Sequence, residues 1–359
     1  MRPLPTFLLS LTTLLSLSCL VYASAGDRDQ RYQTCTTVCY GTRCLTNPPP
    51  TLPLSLRLTQ WSCVDDCKYQ CMHALTDEAL TLGRDVLQYH GKWPFWRFLG
   101  AQEPASVAFS LLNLYFHVRG GLLVKRKVPR GHPMRRYYLA WAAVSANAWV
   151  WSAVFHTRDL PRTEKLDYFA AASAIMYALY YTVIRLFQLY SPSPSRPSSM
   201  PSATAPSSPN HRSLRIAWSL LCVGAYLAHI TYLSVLPRFD YTYNMAFNLI
   251  LGLLHNLLWA LYSLPSSLTP SFLRRFPFAG KGYRPPYAGQ AALFVLLTTV
   301  ATSLELWDFP AWGRVIDAHA LWHLSTAPIV KFWYEFLVRD ALDEGWYSQA
   351  KDMKRCVSY

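Results

Sequence analysis

The chain has 359 residues, of which 52% are hydrophobic and 15% are charged, and its formal net charge is +14. A strongly basic balance often accompanies nucleic-acid binding. Here, however, the Lys and Arg residues lie in short loops between apolar blocks of about 20 residues, the length that crosses a bilayer. The composition therefore favours a membrane-embedded protein and predicts no nucleic-acid partner.

The N-terminus has the pattern of a secretory signal peptide, which we predict to cover residues 1–25. Arg2 precedes an apolar run, and Ala23-Ser24-Ala25 fits a cleavage site of small residues. An uncleaved anchor helix is the alternative. In both cases the segment that follows is delivered to the lumen or the exterior.

Residues 26–103 form a predicted Cys-rich luminal region. It contains six of the nine cysteines, namely Cys35, Cys39, Cys44, Cys63, Cys67 and Cys71. An even number in a short exported segment predicts a disulfide framework, whose pairing the sequence does not choose. The repeated C-x3-C spacing places thiols on one helix face, which favours two short helices stapled together. A zinc–thiolate cluster is the alternative.

Seven apolar blocks follow, and they predict an all-α integral membrane protein. The predicted fold is a seven-transmembrane helix bundle over residues 104–338, preceded by the disulfide-rich luminal region. The predicted spans lie near residues 104–124, 137–156, 166–190, 214–236, 242–264, 288–307 and 316–338. Residues 191–213, rich in Ser and Pro, are predicted to be a disordered loop.

The loop charges predict the orientation of the bundle. Lys and Arg concentrate in residues 125–136 and 265–287 and in a predicted tail, residues 339–359. By the positive-inside rule these segments and the loop 191–213 are cytosolic. The N-terminus is then luminal and the C-terminus cytosolic.

Five polar residues fall at the luminal edge of these predicted spans: Ser152, His156, Asp167, His319 and His323. Ionisable residues are costly in hydrocarbon, so a cluster of them at one depth predicts a functional site. His319 and His323 are four residues apart and therefore share a helix face. A third imidazole, from His156, completes three ligands of a catalytic zinc ion and leaves a position for water.

The remaining two residues are assigned to the chemistry. Asp167 would orient the water and accept its proton, and Ser152 would donate a hydrogen bond to the developing oxyanion. Asp317 is the alternative acid/base residue. The predicted cofactor is therefore Zn²⁺, which activates bound water without redox chemistry.

At these residues the sequence resembles the CREST superfamily of seven-span membrane hydrolases, which shares the order S-x3-H, Asp and H-x3-H. More narrowly, it resembles the Per1-like family of post-GPI-attachment phospholipases. The motifs that carry this resemblance are V-F-H-T-R-D (154–159), T-E-K-L-D-Y-F (163–169), D-A-H-A-L-W-H (317–323) and W-x-C-x3-C-x-Y-x-C (61–71).

The resemblance implies lipid remodelling of GPI-anchored proteins in the endoplasmic reticulum membrane, with the Golgi membrane as the alternative. The implied reaction removes the sn-2 acyl chain from GPI phosphatidylinositol. No oligomeric state is indicated. Two other functions remain open: a ceramidase-like amidase with the same metal site, and a non-enzymatic receptor or chaperone of GPI-anchored cargo. An open metal position would indicate an enzyme, and a closed shell of four protein ligands would indicate a receptor or scaffold.

Overall fold

The computed structural model describes residues 24–48, 50–190, 209–270 and 272–347. These residues form helices and no β-strands, which confirms the predicted all-α class. Nearly all of the predicted signal peptide, most of the predicted Ser/Pro-rich loop and the end of the predicted tail lie outside the described residues. The described chain falls into two compact units that divide between Phe95 and Trp96.

The first unit is built from short helices. They are α1 (Ala25–Arg28), α2 (Gln30–Cys39), α3 (Leu54–Leu58) and α4 (Cys63–Thr81), and a π-helical turn, Tyr40–Cys44, extends α2. Ser62 caps α4. Its hydroxyl accepts the backbone N–H of Asp65, while the Asp65 carboxylate accepts the backbone N–H of Ser62. This reciprocal capping box fixes where the cysteine-bearing helix begins.

All six cysteines of the first unit form disulfide bonds, in a nested order. The pairs are Cys35–Cys71, Cys39–Cys67 and Cys44–Cys63. Cysteines one helical turn apart on α2 face cysteines one turn apart on α4, and the nested order shows that the two helices run antiparallel. The predicted disulfide framework is confirmed. The alternative zinc–thiolate cluster is excluded, because none of these six thiols is left free.

In the described residues, the second unit consists of seven long helices. They are α5 (Pro104–Lys127), α6 (Arg135–Thr157), α7 (Pro161–Leu186), α8 (Pro209–Val235), α9 (Tyr241–Ser263), α10 (Ala288–Leu304) and α11 (Ala318–Ala341). Each overlaps one predicted span. Helix α7 begins at Pro161 rather than at the predicted residue 166. Proline is favourable at the first position of a helix. The first turn of α7 is polar, so hydropathy does not detect it.

Four of these helices are long and apolar enough to cross a membrane, namely α5, α7, α9 and α8 from His211 onwards. Helix α10 is apolar but has only 17 residues. Helices α6 and α11 are long but contain histidines and other polar residues, as expected of helices that line an internal site. The chain is thus a multi-pass membrane protein, and the count of seven spans stays a prediction.

Six of the helices close a ring by pairwise packing. Going round the ring, α5 packs on α6, α6 on α7, α7 on α9, α9 on α10, α10 on α11, and α11 on α5. Helix α8 packs on α7, and His229 of α8 stacks on Phe247 of α9 with ring centroids 4.0 Å apart. The starts of α5, α7, α9 and α11 meet the ends of α6, α8 and α10 at one end of the bundle, which we call the histidine end.

A buried ion pair fastens the opposite end of the ring. Arg185 of α7 donates from Nε and Nη2 to the two carboxylate oxygens of Asp340 of α11, at 2.7 and 2.8 Å. Both side chains are fully buried. The Tyr262 hydroxyl of α9 donates to the same carboxylate at 2.9 Å, and the Arg185 guanidinium lies 4.6 Å from the centre of the Trp346 ring. Three helices are therefore tied together at this point.

We expect Asp340→Asn to lower the free energy of unfolding by about 3–5 kcal/mol, because the Arg185 charge would remain buried without its counter-ion. Thermal unfolding of the purified protein in detergent, followed by tryptophan fluorescence, measures this loss. Glu344→Gln changes an exposed carboxylate nearby and should leave the midpoint unchanged. The double variant Arg185→Met, Asp340→Leu should recover most of the loss. A single variant as stable as the wild type would contradict the assignment.

Candidate metal centre

Three imidazoles converge at the histidine end of the ring. Nε2 of His319 lies 3.3 Å from Nε2 of His156 and 2.9 Å from Nε2 of His323. His156 belongs to the last turn of α6, and the other two belong to the first turns of α11. Ligand atoms of the three residues all lie within 4.8 Å of one another, which is a spacing that one metal ion can bridge.

The start of α11 explains why its two histidines point the same way. Asp317 is the N-cap, and its carboxylate accepts the backbone N–H of Ala320 at 2.8 Å. Because the helix begins before His319, both His319 and His323 are helical and lie one turn apart on the same face. Asp317, predicted as the alternative acid/base residue, has this structural role in the described contacts.

Two glutamates orient two of the rings. Nδ1 of His156 lies 2.9 Å from Oε2 of Glu103, and Nδ1 of His319 lies 2.8 Å from Oε2 of Glu305. A carboxylate beside Nδ1 holds the ring proton on that atom and leaves the Nε2 lone pair directed towards the centre. This is the arrangement that metal-binding histidines use, and neither glutamate was predicted from the sequence.

Hydroxyl groups orient the third ring. Ser110 donates its single hydrogen to the Ser106 carbonyl at 2.7 Å. It therefore accepts from both Nδ1 of His323 and the hydroxyl of Ser152, each 3.0 Å away. Asn113, one turn further along α5, donates to the His323 carbonyl at 2.7 Å. The Ser110 hydroxyl therefore links Ser152 to His323, on the Nδ1 side of the histidine ring.

Asp167 lies in the second turn of α7 and is half-buried. The ring of its neighbour Tyr168 lies 6.1 Å from that of Phe155, the residue before His156. This turn of α7 therefore lies against the last turn of α6, at the histidine end. The role of Asp167 in proton transfer stays a prediction.

The donor set fits zinc. Three Nε2 lone pairs that face one another repel, and a cation between them turns this repulsion into attraction. Nitrogen ligands about 2.0–2.1 Å from a tetrahedral zinc ion lie about 3.3–3.4 Å apart, close to the 3.3 Å between His156 and His319. Two tryptophan rings, Trp149 and Trp322, lie 5.1 and 5.0 Å from the His323 ring and supply an apolar surround.

Exposure differs sharply between the two sides of the centre. The side chains of His156 and Glu103 are only 3% and 5% exposed, whereas those of His319 and Glu305 are 33% and 34% exposed. His323 is buried as well. The centre is therefore sealed on one side and open to solvent on the other.

The sequence held a signal for the residues that our prediction missed. Glu103 and Glu305 stand at the edges of the first and sixth apolar blocks, at the same depth as the histidines. An ionisable residue at the depth of the other site residues predicts a functional role, and this criterion also applies to Glu103 and Glu305. Ser106, Ser110 and Asn113 recur at helical spacing within an apolar span, a pattern typical of a helix face that contacts other helices.

The chain was compared with known proteins. The sequence profile of the Per1-like family matches residues 53–341. The chain is 39% identical to "Protein PER1 homolog" of Schizosaccharomyces pombe over 94% of both chains. It is 40% identical to "GPI-specific phospholipase A2-like PGAP3" of Xenopus tropicalis, over 91% of this chain and 94% of the relative. The corresponding Homo sapiens protein is 35% identical over 92% and 94%. No solved structure matches the chain.

We expect Glu103→Gln to weaken metal binding about 10–100-fold, the usual cost of losing a carboxylate that orients a ligand histidine. Glu305→Gln should cost less, because water can replace part of an exposed carboxylate. Metal content after dialysis against graded chelator concentrations measures both effects on the purified protein. Equal losses in the two variants, or no loss in either, would contradict the orienting role of Glu103.

Proposed function

The chain belongs to the Per1-like family, and we propose that it remodels GPI anchors by zinc-dependent hydrolysis of the sn-2 acyl ester of GPI phosphatidylinositol. Relatives that share about two-fifths of its residues over nearly its whole length are named GPI-specific phospholipase A2-like. The convergence of His156, His319 and His323 supports the proposal, because three imidazoles at this spacing could hold a metal ion that activates water.

One observation favours an enzyme over a receptor or scaffold. Within the described part of the chain, the metal-competent group of the second unit consists of three histidines, and each has its Nδ1 engaged outside the centre. A structural zinc site uses four protein ligands, whereas a catalytic site uses three and keeps one position for water or substrate. The three-histidine set, with solvent-exposed His319, has the catalytic form.

The proposed roles follow from this arrangement. His156, His319 and His323 would hold the zinc ion through Nε2, and the ion would supply Lewis-acid polarisation and an activated water. Asp167 would accept a proton as the water oxygen bonds to the ester carbonyl carbon, and would return it to the glycerol oxygen as the bond from that carbon to the glycerol oxygen breaks. Ser152 turns its hydroxyl from Ser110 towards the ester carbonyl and stabilises the charge that develops there. The products are a fatty acid and a lyso-GPI lipid.

We further propose that the histidine end faces the lumen of the endoplasmic reticulum, with the Golgi as the alternative compartment. The opposite end bears a run of cations, Lys125, Arg126 and Lys127 at the end of α5, with Arg135 and Arg136 at the start of α6. The positive-inside rule assigns that end to the cytosol. The disulfides of the first unit suit an oxidising lumen. The ester of a luminal GPI lipid then lies at the depth of the histidines.

A ceramidase-like amidase is the rival enzyme, since the same metal centre suits amide hydrolysis. The disulfide-bonded first unit and the names of the relatives favour the GPI lipid. Incubating the purified protein with ceramide and with GPI phosphatidylinositol side by side distinguishes the two, because only the true substrate releases fatty acid.

We expect Asp167→Ala to reduce fatty-acid release from GPI phosphatidylinositol at least about 100-fold, the usual contribution of a general base. The bound metal should remain. His323→Ala should abolish both activity and metal binding. Mass spectrometry of released fatty acid and metal analysis of the same samples give the two readouts.

The matched control is His211→Ala, which removes a histidine from the start of α8 at the opposite end of the bundle and should behave as wild type. Full activity of Asp167→Ala would remove the proposed base. Full metal content in His323→Ala would remove the proposed centre.

A further inference from the structure

The centre is closed on the side of Glu103 by backbone as well as by side chains. The backbone N–H of Glu103 donates to the His156 carbonyl at 3.0 Å, and that of Gln102 donates to the Thr157 carbonyl at 2.9 Å. These two bonds fasten the start of α5 to the end of α6. The side chains of Glu103 and His156 are also nearly fully buried, so among the described residues the exposed side of the centre is the one at His319 and Glu305.

The segment that follows Glu305 is unusually apolar for an exposed loop. Leu306 and Trp307 are 61% and 65% exposed, and Trp312 is 62% exposed. The ring of Phe309 stacks on that of Trp312 with centroids 5.1 Å apart. We call residues 305–312 the access loop. Its first residue, Glu305, contacts the metal-ligand candidate His319, so the loop begins at the open side of the centre.

The access loop is held in place at its far end. Trp312 and Ile316 form a β-bridge, with the Trp312 N–H donating to the Ile316 carbonyl at 2.8 Å. The N–H of Trp96 donates to the Arg314 carbonyl at 2.9 Å, and the Arg314 guanidinium lies 4.9 Å from the centre of the Trp96 ring. The large apolar side chains therefore stand on a fixed platform.

We propose that the access loop is the docking surface for the substrate lipid, where Leu306 and Trp307 contact its glycerol and proximal acyl carbons. The ester is thereby delivered to the open side of the histidine centre. This inference rests on the proposed function. A lipid is the occupant that fits, because the loop exposes Leu306, Trp307 and Trp312, while its two carboxylates are Glu305, beside the centre, and the exposed Asp308.

The test uses full-length protein in bilayer nanodiscs. Losing the apolar contact in Trp307→Ser or Leu306→Ser should raise KM for GPI phosphatidylinositol about tenfold. The kcat should stay within about twofold, because the reacting groups are untouched. KM for a water-soluble short-chain ester should not change. Metal content equal to that of the wild type verifies that the variants fold.

Leu268→Ser is the matched control, since Leu268 is equally exposed but lies in the loop between α9 and α10, at the opposite end. It should leave every parameter unchanged. An unchanged KM for the lipid in both access-loop variants overturns the proposal. An equal rise in KM for the lipid and for the soluble ester also overturns it, because such a result would show that Leu306 and Trp307 have a structural role.

Failure of the proposed function has a different signature, because the wild type would then release no fatty acid from GPI phosphatidylinositol. In that event binding of a non-hydrolysable ether-linked phosphatidylinositol decides the question of the access loop. About tenfold weaker binding by Trp307→Ser than by wild type supports the docking surface, and equal binding overturns it.

Discussion

Three imidazoles bring their Nε2 atoms together at the histidine end, and a cation between those atoms would turn their mutual repulsion into attraction. The rest of the histidine end is arranged around this convergence. Glu103, Glu305 and Ser110 each accept a hydrogen bond from Nδ1 of one histidine. The Nε2 lone pair of that histidine is then directed towards the centre. Without these partners each ring could rotate or change tautomer, and the lone pairs would avoid one another. Charge compensation from the glutamates would also make a divalent cation tolerable within an apolar bundle.

The two ends of the ring differ in composition and packing. At the end opposite the histidines, the Arg185–Asp340 pair and the surrounding aromatic rings fill the interior and tie α7, α9 and α11 together. The histidine end has polar ligands, an exposed carboxylate and an apolar access loop instead. A site that admits the proposed lipid and water cannot be packed to the density of a core.

Much of this arrangement could be predicted from the sequence, and the part that could not has a physical reason. Apolar block lengths located every long helix, and cysteine spacing predicted the stapled pair α2 and α4. The spacing of His319 and His323, and the depth shared with His156, predicted their proximity before any coordinates. Hydropathy could not reveal that Glu103 and Glu305 reach Nδ1 atoms, because side-chain contacts across helices depend on helix rotation. The disulfide pairing needed the antiparallel direction of α2 and α4, which spacing alone does not supply.

Helices α5 and α11 approach closely where Gly120 lies against the ring of Tyr334. A Cβ at position 120 would overlap that ring, so any other residue there requires the Tyr334 ring or one of the two helices to shift. Ser110 stands on the same helix about 15 Å away, at 1.5 Å per residue, and its hydroxyl fixes the tautomer of His323. Any side chain at position 120 would therefore act at a distance, by changing the spacing of α5 and α11 and with it the contact between Ser110 and His323.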